Sequence, residues 1–413
     1  MNRVGAVRRG GTAAQVAGSQ LALAASNYLV LAIAGRHLDD AGFAAITSYY
    51  LLVNTVGRGL FAAVELEATR AVAAAAADGR DDGPARRAAL ADTGLLLAGA
   101  LVLLGVGSPL LLAVVGSGPA TVGLLAVGTL AMAASYLLRG PLAGTGRYGR
   151  YAATFWVEAG AGLAGAGALV LLDSRSTPAW IAVFALAPLV AAAVLVRRGV
   201  RGGDGPPDPG RSRTAVLWSA ALLLAGQGLW NLAPVLVTAR LVEEPDVAKG
   251  FVTAAVLLRA PVLLFPAVQA LLLPAFTAMA GTGDHAAVRR TTRRLGLAIA
   301  AGGALWAVAA VLVVPPVARL VFAATTTPPA WVLVVLALST AVGAAAQIGQ
   351  THLVALRRPA AAAAGWTAGL VALLAVGLLA APPLPAAAVG QLIGAAVVLV
   401  VLSLVRRRSL LPR

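Results

Sequence analysis

The chain has 413 residues, of which 60% are hydrophobic and 12% are charged, whereas a soluble protein carries about 25% charged residues. The absence of cysteine excludes disulfides, thiolate metal sites and a cysteine nucleophile, and the three scattered histidines (His37, His285 and His352) argue against a zinc or di-iron centre. No cofactor is therefore expected. Apolar runs of about 20 residues, long enough to cross a hydrocarbon core, recur along the whole chain. They predict an all-α polytopic membrane protein.

Twelve apolar segments predict about twelve membrane-spanning helices. Charged residues are sparse inside these segments and frequent between them, as expected when hydrocarbon surrounds the helices. In chain order, the predicted spans are 12–35, 42–65, 90–115, 119–141, 151–172, 177–196, 214–236, 249–273, 295–321, 328–352, 360–381 and 384–405.

The basic residues predict how these spans are oriented. Most of the 32 lysines and arginines lie at the termini and in every second connection, which include Arg86, Arg139 and Arg147. By the positive-inside rule, both termini are predicted to be cytoplasmic. The net charge of +16 is then mainly a topology signal, supported by anionic lipid, and binding of nucleic acid is not expected. The opposite connections hold only Arg36, Arg175, Arg240, Lys249 and Arg319.

The stretch RRGVRGGDGPPDPGRSR (197–213) is the longest polar segment of the chain. Its glycine, proline and arginine content is typical of a flexible linker. We therefore predict an N-terminal six-helix lobe over 1–196, a cytoplasmic linker over 197–213 and a C-terminal six-helix lobe over 214–413.

The two halves carry a weak internal repeat. NYLVLAIAGR (27–36) aligns with NLAPVLVTAR (231–240), and FAAVE (61–65) aligns with FPAVQ (265–269), both at an offset of 204 residues. Six helices per repeat give both halves the same orientation, and transporters built from such repeats bind substrate at the repeat interface near the membrane midplane. We therefore expect two lobes around a central cavity.

Three features that resemble catalytic or coupling motifs have plainer interpretations. GTGRYG (144–149) fits a dinucleotide-binding pattern, but no strand precedes it, so a tight glycine turn is expected. The pair Asp39-Asp40 lies in a connection that is too short for a catalytic domain. Glu158, inside the fifth span, is either a proton or cation coupling site or a carboxyl group hydrogen-bonded between helices.

Two arginines interrupt predicted spans. Arg58 lies in the second span and Arg259 in the eighth, and mid-membrane arginine costs at least ~2.5–3.5 kcal/mol. In the plainer interpretation, Arg58 reaches the interface and Arg259 bonds backbone groups freed by Pro261. Two uncompensated cations at related positions of a repeat instead favour a cavity that binds an anion. The predicted substrate-binding residues are Arg58, Arg259, Asn27, Asn54, Gln227, Asn231 and Gln269.

Three stretches carry a resemblance to a known superfamily. RGPLAGTGRYGRYA (139–152), RHLDDAGFA (36–44) and LLRAPVLLFPAVQALLLPAF (257–276) resemble the polysaccharide-exporter, Wzx-like branch of the multidrug/oligosaccharidyl-lipid/polysaccharide (MOP) exporter superfamily. The resemblance covers essentially the whole chain. It implies a non-enzymatic, multi-pass protein of the bacterial plasma membrane that flips polyprenyl-diphosphate-linked oligosaccharides, with the lipid bilayer, an anionic lipid-linked glycan, a polysaccharide polymerase and glycosyltransferases as partners.

Related functions remain as alternatives. Lipid II flippases, in the same superfamily, keep cavity arginines in helices 1, 2 and 8, and this chain matches them with Arg58 and Arg259 but has none within helix 1. It also lacks the two additional C-terminal helices usual in that family. A drug/cation antiporter of the MATE type would need an acidic cavity, and a polytopic glycosyltransferase or acyltransferase would need a sizeable catalytic loop. A forked arginine matches the oxygens of a diphosphate, and Tyr28, Tyr49, Tyr50 and Trp230 are candidates to contact sugars.

Overall fold

The computed structural model describes residues 3–115, 118–196, 213–282, 285–356 and 358–409, and within these ranges it contains helices and no strand. The predicted all-α class is confirmed. The helices are α1 (Arg3–His37), α2 (Asp40–Val56), α3 (Ala62–Ala77), α4 (Gly83–Val115), α5 (Pro119–Gly144), α6 (Tyr148–Leu171), α7 (Thr177–Val196), α8 (Arg213–Arg240), α9 (Pro245–Leu258), α10 (Phe265–Thr282), α11 (His285–Phe322), α12 (Ala330–Ala355), α13 (Pro359–Leu379) and α14 (Pro383–Ser409).

Within the described ranges, ten of these helices are long and apolar enough to cross a membrane. The other two predicted spans, 42–65 and 249–273, are each divided. A π-helical segment, Gly57–Phe61, separates α2 from α3, and a 3-10 segment, Ala260–Leu264, separates α9 from α10. All twelve predicted spans therefore lie on helices, and the two interrupted ones contain Arg58 and Arg259.

The chain forms two compact units, Met1–Ala220 and Ala221–Arg413. The structure thus has two lobes. The predicted boundary in the linker 197–213 stays a prediction, because residues 197–212 lie outside the described ranges.

In the N-terminal lobe, small residues let helices approach closely. A Cβ atom on Gly140 of α5 would lie 2.7 Å from the Cβ of Ala68 on α3, and Thr69 donates a hydrogen bond to the Gly140 carbonyl oxygen at 3.1 Å. Ser26 of α1 similarly donates to the Ala159 carbonyl of α6 at 3.0 Å. Glycine here allows backbone-to-backbone packing, which holds the polar residues of neighbouring helices in fixed register.

The sequence motifs that resembled catalytic sites have roles in the local structure of the helices and turns. GTGRYG forms the turn between α5 and α6, in which Gly146 has a φ of 70°, a conformation that favours glycine. Asp39 is the N-cap of α2, and its carboxylate accepts a hydrogen bond from the Gly42 amide at 2.8 Å. The predicted glycine turn is confirmed.

Two basic residues lie in different surroundings from those predicted. Arg139, assigned above to a cytoplasmic connection, belongs to α5 and is buried, and Lys249, assigned to an external connection, belongs to α9 and is also buried. Both residues lie within or at the edge of predicted spans, 119–141 and 249–273, so they belong to the helices and not to the connections.

The core of the C-terminal lobe is built around two tryptophans. The ring centroids of Trp230 on α8 and Trp366 on α13 are 6.4 Å apart. Gly343 on α12 makes room for Trp230, since a Cβ atom there would lie 2.3 Å from the indole ring. This packing fixes α8, which carries Gln227 and Asn231.

Candidate functional site

Arg58 lies in the π-helical segment Gly57–Phe61. Two glycines flank it, and glycine is a poor former of regular α-helix. A Cβ atom on Gly57 would lie 2.7 Å from the side chain of Met132, so α5 packs directly against the interruption. Single π-helical turns inside α-helices occur often at functional sites.

Arg259 lies at the equivalent interruption of the C-terminal lobe. It is the C-cap residue of α9 and directly precedes the 3-10 segment Ala260–Leu264. Pro261 has no amide hydrogen, which accounts for the loss of regular α-helix here. The offset of 204 residues that relates the two halves carries 57–61 onto 261–265. The two interruptions therefore occupy related positions of the repeat.

Three of the predicted substrate-binding residues lie together in the C-terminal lobe. The Arg259 guanidinium donates a hydrogen bond to the side-chain oxygen of Asn231. Asn231 in turn donates to the side-chain oxygen of Gln227 at 3.3 Å, one turn earlier on α8. The Asn231 amide is neutral, so this hydrogen bond orients the guanidinium and adds no opposite charge of its own.

The N-terminal arginine has different surroundings. Arg58 is within electrostatic range of both Glu158 and Arg139, and Glu65 is within range of Arg58 and Arg139. The expectation that Arg58 is an uncompensated cation stays a prediction, because Glu158 is paired directly with Arg139. Because each acid is matched by an arginine, the four residues carry no net formal charge.

Arg139 and Glu158 form the centre of this cluster. The Arg139 guanidinium donates to Glu158 at 2.5 Å and to the Thr154 hydroxyl at 2.9 Å, and both charged side chains are buried. The guanidinium carbon also lies 4.1 Å from the centroid of the Phe155 ring. Glu158 is thus hydrogen-bonded between helices, as one of the two interpretations above expected, and its coupling role stays a prediction.

A second acid of the N-terminal lobe is also hydrogen-bonded. The Tyr151 hydroxyl donates to the Glu65 carboxylate at 2.7 Å.

Neither Arg139 nor Glu65 was singled out as a functional residue from the sequence, although the sequence carries one signal for the position of Arg139. Antiparallel helices joined by a tight turn place residues at similar distances from the turn side by side, and Arg139 and Thr154 lie seven and eight residues from Gly146.

The remaining predicted residues are less closely associated. The Asn54 side chain donates to the Tyr50 carbonyl oxygen of its own helix at 2.8 Å. Asn27 on α1 and Gln269 on α10 are half-buried. All three stay predictions as substrate-binding residues.

Two of the aromatic candidates are core residues. Tyr49 is fully buried and donates to the Leu124 carbonyl oxygen at 2.9 Å. Trp230 is packed against Gly343 and Trp366. Their suggested role in contacting sugars stays a prediction, and both rings are packed within their own lobes.

No protein-family model matches the chain, and no curated protein matches it. Among solved structures, it is similar to a multidrug resistance MATE family transporter of the MOP superfamily in its inward-facing conformation, with 13% identity, a TM-score of 0.66 and coverage of 95% of this chain and 98% of that one. The outward-facing conformation of such a transporter matches at 13% identity and a TM-score of 0.62, covering 97% and 95% of the two chains.

A mutant of the Vibrio cholerae MATE transporter VcmN matches at 15% identity and a TM-score of 0.64, covering 97% of this chain and 95% of that one. These similarities show a MATE-like fold with two lobes. The polysaccharide-exporter branch of the superfamily stays a prediction.

Proposed function

We propose that the protein is a membrane transporter that flips a polyprenyl-diphosphate-linked oligosaccharide across the bacterial plasma membrane by alternating access. The observation that carries the proposal is the position of Arg259, at the interruption of a membrane helix and bonded to the neutral side chain of Asn231. A cation at such a position is costly and marks a substrate pathway.

The chemistry of arginine suits this cargo. A polyprenyl diphosphate presents about two negative charges that cross hydrocarbon only when they are compensated, and a guanidinium offers planar, forked donors to phosphate oxygens. Asn231 and Gln227 supply neutral polar groups beside it, and Arg58 is the proposed second contact. Asn27, Asn54 and Gln269 are proposed to contact the glycan or the diphosphate.

A reconstituted assay tests this proposal. Purified protein in liposomes is supplied with a fluorescent polyprenyl-diphosphate oligosaccharide, and the rate at which the glycan becomes accessible to an impermeant lectin is measured. Arg259→Ala should slow flipping about ten- to a hundredfold, the loss expected for one charge-assisted contact. Arg319→Ala is the matched control, since Arg319 is an exposed arginine at the end of α11. Flipping by the Arg259→Ala protein at the normal rate would contradict the assignment.

Export of an organic cation is the second candidate function. It is favoured by the fold shared with multidrug resistance transporters and by two carboxylates, Glu65 and Glu158, inside the N-terminal lobe. The same liposomes distinguish the two functions when loaded with ethidium and a proton gradient. Ethidium transport that survives Arg259→Ala but is lost in Glu65→Gln would favour the cation exporter over the flippase.

A further inference from the structure

The interruption beside Arg259 releases a backbone carbonyl. In a continuous α-helix, the amide of Val262 would donate to the carbonyl oxygen of Leu258. It donates instead to the carbonyl oxygen of Arg259 at 2.9 Å, which closes a 3-10 turn. Leu258 is buried, with 1% of its surface exposed, and a buried carbonyl without a donor is strongly unfavourable.

Two side chains from other helices donate to this carbonyl. Trp306 of α11 donates its indole hydrogen to the Leu258 oxygen at 3.0 Å, and the Thr340 hydroxyl of α12 donates to the same atom at 3.2 Å. Thr340 is buried, and Trp306 packs against the hydrophobic core of its lobe. Both donors therefore have fixed positions relative to the interruption.

The two donors are not equivalent. Thr340 also lies 3.1 Å from the carbonyl oxygen of Leu336, one turn earlier on its own helix. A hydroxyl has one hydrogen, so Thr340 divides its donation between the two carbonyls. Trp306 is consequently the stronger of the two contacts to Leu258.

We infer that Trp306 and Thr340 are positioning residues that hold the helix open at Leu258 and thereby aim Arg259 at its ligand. Arg259 directly follows the restrained carbonyl, so the direction in which its side chain leaves the backbone depends on that restraint. The same restraint keeps the guanidinium beside Asn231. The binding part of this inference rests on the proposed function, while the conformational part stands on the interruption alone.

A binding experiment tests the functional part. The probe is inorganic pyrophosphate, titrated against the whole protein in nanodiscs. The double variant Trp306→Phe with Thr340→Val removes both hydrogen-bond donors. Thr340→Val keeps the shape of the side chain, whereas Trp306→Phe keeps an aromatic ring of smaller volume. It should bind pyrophosphate about tenfold more weakly, and Thr340→Ser with native Trp306 should retain most of the affinity. Thr351→Val is the matched control, because Thr351 is a buried threonine of α12 that donates to Gln347 of its own helix.

Repeating the titration with Arg259→Ala separates positioning from a general loss of structure. If the donors act through Arg259, the double variant should cause no further loss in that background. An equal loss in both backgrounds, or an equal loss in Thr351→Val, would overturn the inference. Arg259→Ala with native affinity for pyrophosphate would instead count against the proposed function.

A distance measurement tests the conformational part without any ligand. The chain has no native cysteine, so spin labels can be placed at Glu244 and Thr277, exposed positions on either side of the interruption. The distance distribution between them should shift or broaden in the Trp306→Phe, Thr340→Val protein. It should be unchanged in Arg259→Ala and Thr351→Val. An unchanged distribution in the double variant would show that the two donors do not hold the interruption.

Discussion

The guanidinium of Arg139 and the carboxylate of Glu158 form an ion pair inside the N-terminal lobe, with 2.5 Å between the nearest nitrogen and oxygen atoms. The two side chains are 3% and 7% exposed. Such a pair is no more stabilising than apolar residues of the same volume, but removing one member leaves a buried charge. The main consequence of the pair is therefore that each of the two charges can stay buried only while the other is present.

Arg139→Ala and Glu158→Ala should each destabilise the protein by about 3–5 kcal/mol, because each leaves a buried charge without its partner. The double variant Arg139→Met with Glu158→Leu should be close to the native stability. Denaturant unfolding of the purified protein in detergent measures both effects. Arg80→Ala is the control, since its pair with Asp78 is exposed and should contribute no measurable stability. Single variants as stable as the control would show that the pair is not structural.

The same residue tests proton coupling. If Glu158 exchanges a proton during transport, Glu158→Gln should flatten the pH dependence of the transport rate, because the side chain can no longer titrate. If the carboxylate only holds Arg139, the pH profile should keep its shape while the rate falls at every pH. Rates in liposomes over a range of internal pH, normalised to inserted protein, distinguish the two roles.

The predicted topology can be tested by cysteine labelling. Arg80 lies between α3 and α4, and Glu244 lies between α8 and α9, and both are exposed. Arg80→Cys should be protected from an impermeant thiol reagent in intact cells, and Glu244→Cys should react. Permeabilised cells should label both, which controls for accessibility. The reverse pattern would invert the orientation of the whole chain.

The sequence predicted the helices well and their interruptions only partly. Long apolar runs are sufficient to place spans, and Pro261 indicated a weak point in the eighth span because proline removes a backbone donor. The π-helical turn at Arg58 had no comparable signal, since glycines are frequent throughout this chain. The Arg139–Glu158 pair was missed because hydropathy gives neither the end of a helix nor the face that a residue occupies. Asn231 and Gln227 were found because a four-residue spacing places both on one face of a helix.

Packing around Trp230 gives a fourth prediction. A methyl group at Gly343 would lie 2.3 Å from the indole ring, so Gly343→Ala should overpack the core of the C-terminal lobe and cost about 1–3 kcal/mol. Gly302→Ala is the matched control, because no atom lies within 4 Å of the added methyl group. It should be neutral or slightly stabilising, since alanine forms helix better than glycine. Thermal unfolding of the two proteins compares them directly, and equal stability would contradict the close packing of α12 against Trp230.

The final prediction compares the two arginines at the interruptions. Arg259→Ala should impair flipping more than Arg58→Ala, because Asn231 is neutral whereas Glu65 and Glu158 share the electrostatic surroundings of Arg58. Arg259→Lys should restore part of the rate, since it keeps the charge but loses the forked donor geometry. If both arginines bind one diphosphate, the double alanine variant should deviate from additivity by about 0.5–3 kcal/mol.

The reconstituted flipping assay supplies all four rates for this cycle. The amount of inserted Arg259→Ala protein should not fall, because deleting a charge within the membrane favours insertion, and the rate of each variant is normalised to its inserted amount. Effects that add within error would assign the two arginines to separate steps or separate ligands. A larger loss in Arg58→Ala than in Arg259→Ala would move the anion site to the N-terminal lobe. In that case the hydrogen bond between Arg259 and Asn231 would serve to join α9 to α8, and it would not orient Arg259 toward a ligand.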